Sequence, residues 1–155
     1  LIVPAKILNK PDKLDKKEWA VMRTHTYYTH HVLDNLPDNI HDIQTWASYH
    51  HEKLDGSGYP FHLTKKELPL ASRILAVADI LTAITENRPY RQGMKKEKVI
   101  QILKKIKKNN KLDSTLVEIV VNNFNELNDK RKSEQIKAEK SYQNFRDHLM
   151  QKERQ

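Results

Sequence analysis

Seven of the eight histidines lie between His25 and His62, and three of them occupy places where chemistry is open to them. His25 shares a helical spacing of three and four with Met22, Thr29 and Val32. His50 does the same with Ile40, Ile43 and Ala47, and His51 adjoins it. Asp79 stands inside the apolar run Ile74 to Leu81. Three segments thus each put an imidazole or a carboxylate on a face that helical periodicity expects to be buried. Neutral imidazole and carboxylate are the usual ligands of first-row divalent metals where thiolate is absent. This chain has no Cys. Two such ions side by side can clamp a phosphoryl centre and supply hydroxide at neutral pH. The chemistry suggested is metal-dependent phosphohydrolysis. The competing reading, stronger for any single His than for the set, makes each one a satisfied core residue.

The elements that must position these groups are helical. Leu1 to Leu14, with Pro4 and Pro11, reads as an irregular lead. Asp15 with Glu18 three residues on makes a capping-box start, and the helix is expected to run to about Asn35, before Pro37. Asp38 caps a second helix carrying Ile40, Ile43, Ala47 and His50 inward, ending before the turn at Asp55 to Pro60. Phe61 to Leu68 reads as a loop, and Pro69 suits the first turn of a third helix. That helix is apolar nearly all round and is expected to be central and buried, so an unpaired Asp79 in it is costly. A fourth helix spans about Lys95 to Asn109, with Val99, Ile102, Leu103 and Ile106 on one face. A fifth spans about Asp113 to Asn128, with Leu116, Ile119, Val120, Phe124 and Leu127 inward. Two divisions follow: a helical domain over residues 1–128 and a charged helical extension over 129–155.

Composition narrows the function classes. The absence of Cys excludes a disulfide scaffold and a cysteine nucleophile. Three Gly are too few for a turn-rich β fold, so the fold class is all-α. No apolar run is long enough to span a membrane and nothing resembles a signal peptide, so a cytoplasmic location is expected. Lys and Arg total 28 against 20 Asp and Glu, a formal +8, which suits an anionic partner. Eight lysines crowd the stretch from Lys95 to Lys111. Without interleaved aromatics there, a solvated helix face is preferred over a nucleic-acid or membrane surface, and no specific nucleic acid is expected.

The run His50-His51-Glu52-Lys53-Leu54-Asp55-Gly56-Ser57-Gly58-Tyr59-Pro60 resembles the signature HHExxDGxGYP of the HD-GYP phosphodiesterase family. Ile7 to Pro11 with Lys13-Leu14, Met22 with His25, Ala71 to Asp79, and Arg88-Pro89-Tyr90-Arg91 are similar to the family's other segments, in its order. The resemblance covers roughly Ile2 to Phe124.

The resemblance implies an HD-superfamily helical bundle with a site of two or three metal ions, iron or manganese. It implies hydrolysis of cyclic di-GMP to linear pGpG or GMP by a metal-bridging hydroxide. Carried over residue by residue, His25, His50, His51 and Asp79 are metal ligands, with His50, His51 and Asp79 catalytic through the bound metals. Arg88 and Arg91 hold phosphate oxygens. Glu52 orients a neighbouring His, Gly56 and Gly58 permit the turn backbone, and Asp55 belongs to the motif. Tyr59 and Pro60 form an exposed loop for a protein partner such as a diguanylate cyclase (GGDEF) domain. An upstream sensor or receiver domain is expected, and a homodimer is left open.

Departures from the family accompany these matches. The family's His-Asp doublet precedes the segment that here begins at Ile2, so it is expected upstream of Leu1, together with two N-terminal helices. Asp12 and His30 stand where Gly is usual, and Thr82 where Asp is frequent. His30, His31, His41, His62 and His148 are read as structural or solvent-facing. Residues 1–155 alone are accordingly expected to be inactive or weakly active. The runner-up function is a degenerate module that binds the dinucleotide or a partner domain without cutting it.

Overall fold

A computed structural model describes residues 3–34, 41–87 and 91–152. Among the described residues the chain is all-α, with one isolated bridge between Asp55 and Thr64. The elements are α1 (Ala5–Leu8), α2 (Lys16–Leu33), α3 (His41–Ser48), α4 (Leu70–Thr85), α5 (Lys96–Lys108), α6 (Ser114–Asn122) and α7 (Phe124–Lys152). The chain divides into two compact units, Leu1–Val121 and Asn122–Gln155. No helix among the described residues is long and apolar enough to cross a membrane.

In the first unit α2 packs on α3, α3 on α4, α1 on α2 and α4 on α5. α2 begins with the capping box: Asp15 accepts from the Glu18 N–H, and the Glu18 carboxylate accepts from the Asp15 N–H. Glu18 also takes the Lys10 ammonium at 2.6 Å, which ties the lead segment to the helix. Asp113 caps α6 through the Thr115 N–H and receives Arg73 of α4 at 3.2 Å on its other oxygen. Val77, Leu81, Val99, Leu103, Leu112 and Val117 are buried. The second unit is the long, charged α7, laced by pairs such as Lys137–Glu134.

Several expectations from periodicity are overturned. The lead is not wholly irregular, because Pro4 opens the short α1, which buries Ile7. Thr26 rather than Val32 is the buried residue of α2. On α3 the buried positions are Gln44 and Ser48, and Ile43 is exposed. The reason is polar satisfaction across helices: the Gln44 amide donates to the His30 carbonyl and to Asp34 of α2. Pro69 is the residue before α4 rather than in its first turn. α4 is not buried all round, since Leu70, Ile74 and Leu75 are exposed. Asp79 therefore reaches solvent, its side chain 43 % exposed, and escapes the desolvation expected for it. The expected fifth helix breaks before Phe124, and Val117 is buried where Ile119 was expected inward. Asn35, Pro37, Asp38 and Ile40 lie outside the described residues.

Candidate metal centre

α2 delivers His25, and the turn that follows α3 delivers His50 and His51. One nitrogen from each can be chosen so that all three lie within 4.8 Å of one another. The His25 Nδ1 lies 2.6 Å from the Met22 carbonyl oxygen, and the His50 Nδ1 lies 2.6 Å from that of Ala47. A carbonyl only accepts, so both Nδ1 atoms carry a proton, which leaves each Nε2 as the ring nitrogen available to another partner. This is the arrangement in which a ring's second nitrogen is fixed by backbone while the first faces a metal.

His51 sits 5.0 Å from the His25 ring and 4.2 Å from the His50 ring, centroid to centroid. Burial, and then the charges of neighbouring His50, His25 and Lys53, lower its pKa to about 3. Its ring is therefore neutral, as metal ligation requires. The Asp79 carboxylate on α4 lies 3.6 Å from the His51 Nδ1, beyond hydrogen-bond length and so not an ion pair with a neutral ring. Asp79 stands beside the three-histidine group rather than within it. Three imidazoles with an adjacent carboxylate match the donor class of a divalent first-row metal.

The motif's turn is built around Glu52. Only 2 % exposed, its carboxylate accepts the N–H groups of Phe61 at 2.6 Å, His62 at 3.1 Å and Leu63 at 3.1 Å. Among the described residues no imidazole ring bonds to Glu52, so its work is to fold the loop onto the end of α3 rather than to orient a ring. A Cβ on Gly58 would lie 2.4 Å from the Glu52 Cα, which leaves room for hydrogen alone. Gly56 has φ +75°, and Asp55 accepts from the Ser57 N–H and hydroxyl, closing a local turn. The loop does not project Tyr59 outward. That ring packs on His51 at 4.8 Å, and burial, then the charge of Asp79, pushes its hydroxyl up to about 12.

Two adjoining clefts meet at this cluster. One, of about 360 Å³, is lined by His50, His51 and Asp79 together with Arg23, Lys53 and Ser57. The other, of about 450 Å³, runs along His25, Lys10, Lys13 and Leu14. Trp19, His51, Tyr59 and Asp79 border both. Arg91 lines neither, and its guanidinium donates to the Ala83 carbonyl at the end of α4. Arg88 lies outside the described residues. Sequence reasoning missed Trp19 and Arg23, which look like ordinary solvent-facing helix residues. Their spacing of four, with Arg23 two residues before His25, is the signal that was available.

A family model described as "HD domain" matches residues 1–116. The chain belongs to the HD-domain family. Within that family its motif run places it with the HD-GYP proteins. This HD-domain chain is 37% identical over 123 residues to a protein of Vibrio cholerae named 3'3'-cGAMP-specific phosphodiesterase 1, covering 79% of this chain and 28% of that protein. It is 34% identical over 126 residues to 3'3'-cGAMP-specific phosphodiesterase 2 of the same organism, covering 81% and 24%. It is 38% identical over 93 residues to a cyclic di-GMP phosphodiesterase of Pseudomonas aeruginosa, covering 60% and 22%. The HD-domain chain thus spans about a quarter of the length of the curated relatives it matches.

Proposed function

We propose that this chain is the metal-binding part of a phosphodiesterase that hydrolyses a cyclic dinucleotide, cyclic di-GMP first and 3'3'-cGAMP as its competitor. The single observation that carries the reading is the cluster of three imidazoles beside a carboxylate, set where two cation-bearing clefts meet. The names of the relatives support the same substrate class. His25, His50 and His51 hold a divalent ion through ring nitrogens, and Asp79 adds a carboxylate beside them. Iron or manganese suits this nitrogen and oxygen set, with two or three ions in the intact site. Bound metal supplies charge neutralisation at the phosphodiester and lowers the pKa of water.

The chain's own residues do the rest. The backbone bonds from His25 and His50 hold those rings in one tautomer before any ligand arrives. The Glu52-anchored loop keeps Tyr59 packed on His51. Arg91, fixed to the end of α4, retains further N–H donors for phosphate oxygens, and Arg88 joins it in this role. In the overall reaction water adds to phosphorus, one P–O3' bond breaks, and the 3' oxygen leaves as the alcohol after taking a proton. The product is a linear dinucleotide, which a second hydrolysis takes to mononucleotide. A diguanylate cyclase domain or an upstream sensor remains the proposed partner.

The test is binding and turnover of cyclic di-GMP and 3'3'-cGAMP by residues 1–155 with manganese, followed by chromatography. Binding with slow or no turnover is expected. Absence of both binding and metal uptake would overturn the reading. Turnover at the rate of an intact domain would overturn the expectation that these residues alone are weak.

A further inference from the structure

A cyclic dinucleotide carries two phosphodiesters, and only one of them can lie at the three-histidine cluster. The second negative charge must then sit in a cleft beside it, where a cation free of carboxylate partners is needed. Of the cleft cations, Lys10 is already committed to Glu18. Arg23 is different. Among the described residues no carboxylate is paired with its guanidinium, which lies instead against aromatic faces, 5.9 Å from the Trp19 ring and 5.3 Å from the Tyr59 ring. Tyr59 in turn touches His51. Arg23 therefore stands one aromatic ring away from the metal cluster. A guanidinium set against aromatic rings uses no N–H group on them and keeps those donors for a forked bond to phosphate. Trp19, one turn earlier on the same face of α2, is 45 % exposed and borders both clefts. A large ring left in water beside a cation offers a sequence-tolerant stacking face for a purine.

We infer that Arg23 is a substrate-positioning residue whose guanidinium holds the phosphodiester that is not cut, with Trp19 stacking on the adjoining base. The inference rests on the cyclic-dinucleotide reading above. Its geometry is the approach of the Arg23 guanidinium to both the Trp19 and the Tyr59 ring in the cleft that His50 and His51 also line.

Calorimetric titration of residues 1–155 with cyclic di-GMP, and separately with 3'3'-cGAMP, tests it. Arg23→Gln is expected to weaken binding by about 10- to 100-fold, the range for losing a hydrogen bond to a charged group. Arg23→Lys, which keeps the charge without the fork, should bind between Arg23→Gln and wild type. In a Trp46→Phe background, ligand should quench the fluorescence of Trp19. If wild type binds neither dinucleotide, the phosphodiesterase reading falls and this assignment falls with it. If wild type binds and Arg23→Gln binds within about twofold, the assignment alone is overturned. Should Arg23→Gln melt early, Arg23→Lys decides. Intermediate binding at the wild-type melting temperature supports the role, and binding as weak as that of Arg23→Gln overturns it.

Discussion

Glu52 is the residue on which the motif's turn depends, and its removal gives a sharp expectation. Three backbone N–H groups converge on one carboxylate, at 2.6, 3.1 and 3.1 Å. In Glu52→Gln the best amide orientation keeps one oxygen for Phe61 and His62 and turns an NH₂ against the Leu63 N–H. One charge-assisted bond is lost and one donor is left facing another, about 1–2 kcal/mol. In Glu52→Ala all three N–H groups lose their acceptor. Phe61 and His62 border solvent, so water restores part of the loss, and the expected cost is about 2–4 kcal/mol. At roughly 2–4 °C per kcal/mol for a chain of this size, Glu52→Ala should lower the melting temperature by about 4–16 °C. Glu52→Gln should lower it by about half as much. Thermal unfolding followed by far-ultraviolet circular dichroism measures both. A Glu52→Ala protein melting within about 2 °C of wild type would refute the reasoning, because the loop would then be held by something other than this carboxylate.

Manganese at about a hundred times its dissociation constant should stabilise the chain by about 2.7 kcal/mol, or roughly 5–10 °C in melting temperature. Replacing His25, His50 and His51 together by Ala should abolish that shift, and a triple variant that still responds to manganese would rule out the cluster as the site. Acidification should destabilise the metal-free protein through His51. Its pKa is about 3 in the fold against 6.5 unfolded, so between those values the unfolded chain takes up a proton that the folded ring refuses. Urea midpoints should fall as pH drops through that window, and His51→Gln should flatten the slope; equal slopes would contradict the burial of the ring. Asp113→Ala removes both the α6 cap and the Arg73 partner and should cost about 2 kcal/mol, while Asp113→Asn, which keeps a capping oxygen, should cost about half. Unchanged urea stability of Asp113→Ala would remove that joint from the fold.

What was legible in the sequence was local. The Asp15 and Glu18 capping box rests on neighbours three residues apart, and it forms as expected. The all-α class followed from composition and the family resemblance, and the buried Val99 and Leu103 from helical spacing. The three histidines do come together, but His50 and His51 stand on the turn after α3 rather than on the inward helical face that periodicity gave His50. What was hidden depends on distant partners. Glu52 accepts from residues nine to eleven positions later, which no helical or turn pattern encodes. Gln44 and Ser48 are buried because their polar atoms find carbonyls, including one on α2, so hydropathy chose Ile43 instead. The family resemblance implied an exposed Tyr59 loop for a protein partner, yet the missing Cβ at Gly58 lets the loop fold back. Arg23 and Trp19 look like surface residues, and in exposure they are. Only the tertiary placement of Tyr59 gives them a common neighbour.

Trp19 and Tyr59 are a party wall between the two clefts, together with His51 and Asp79. Were a ligand in the first cleft to turn either ring toward the second, a ligand in the second would by thermodynamic reciprocity alter affinity in the first by the same factor. Small fragments that each fill one side should then compete or cooperate without overlapping. A ligand with two anionic lobes joined by a ring can straddle the wall and engage both sides at once.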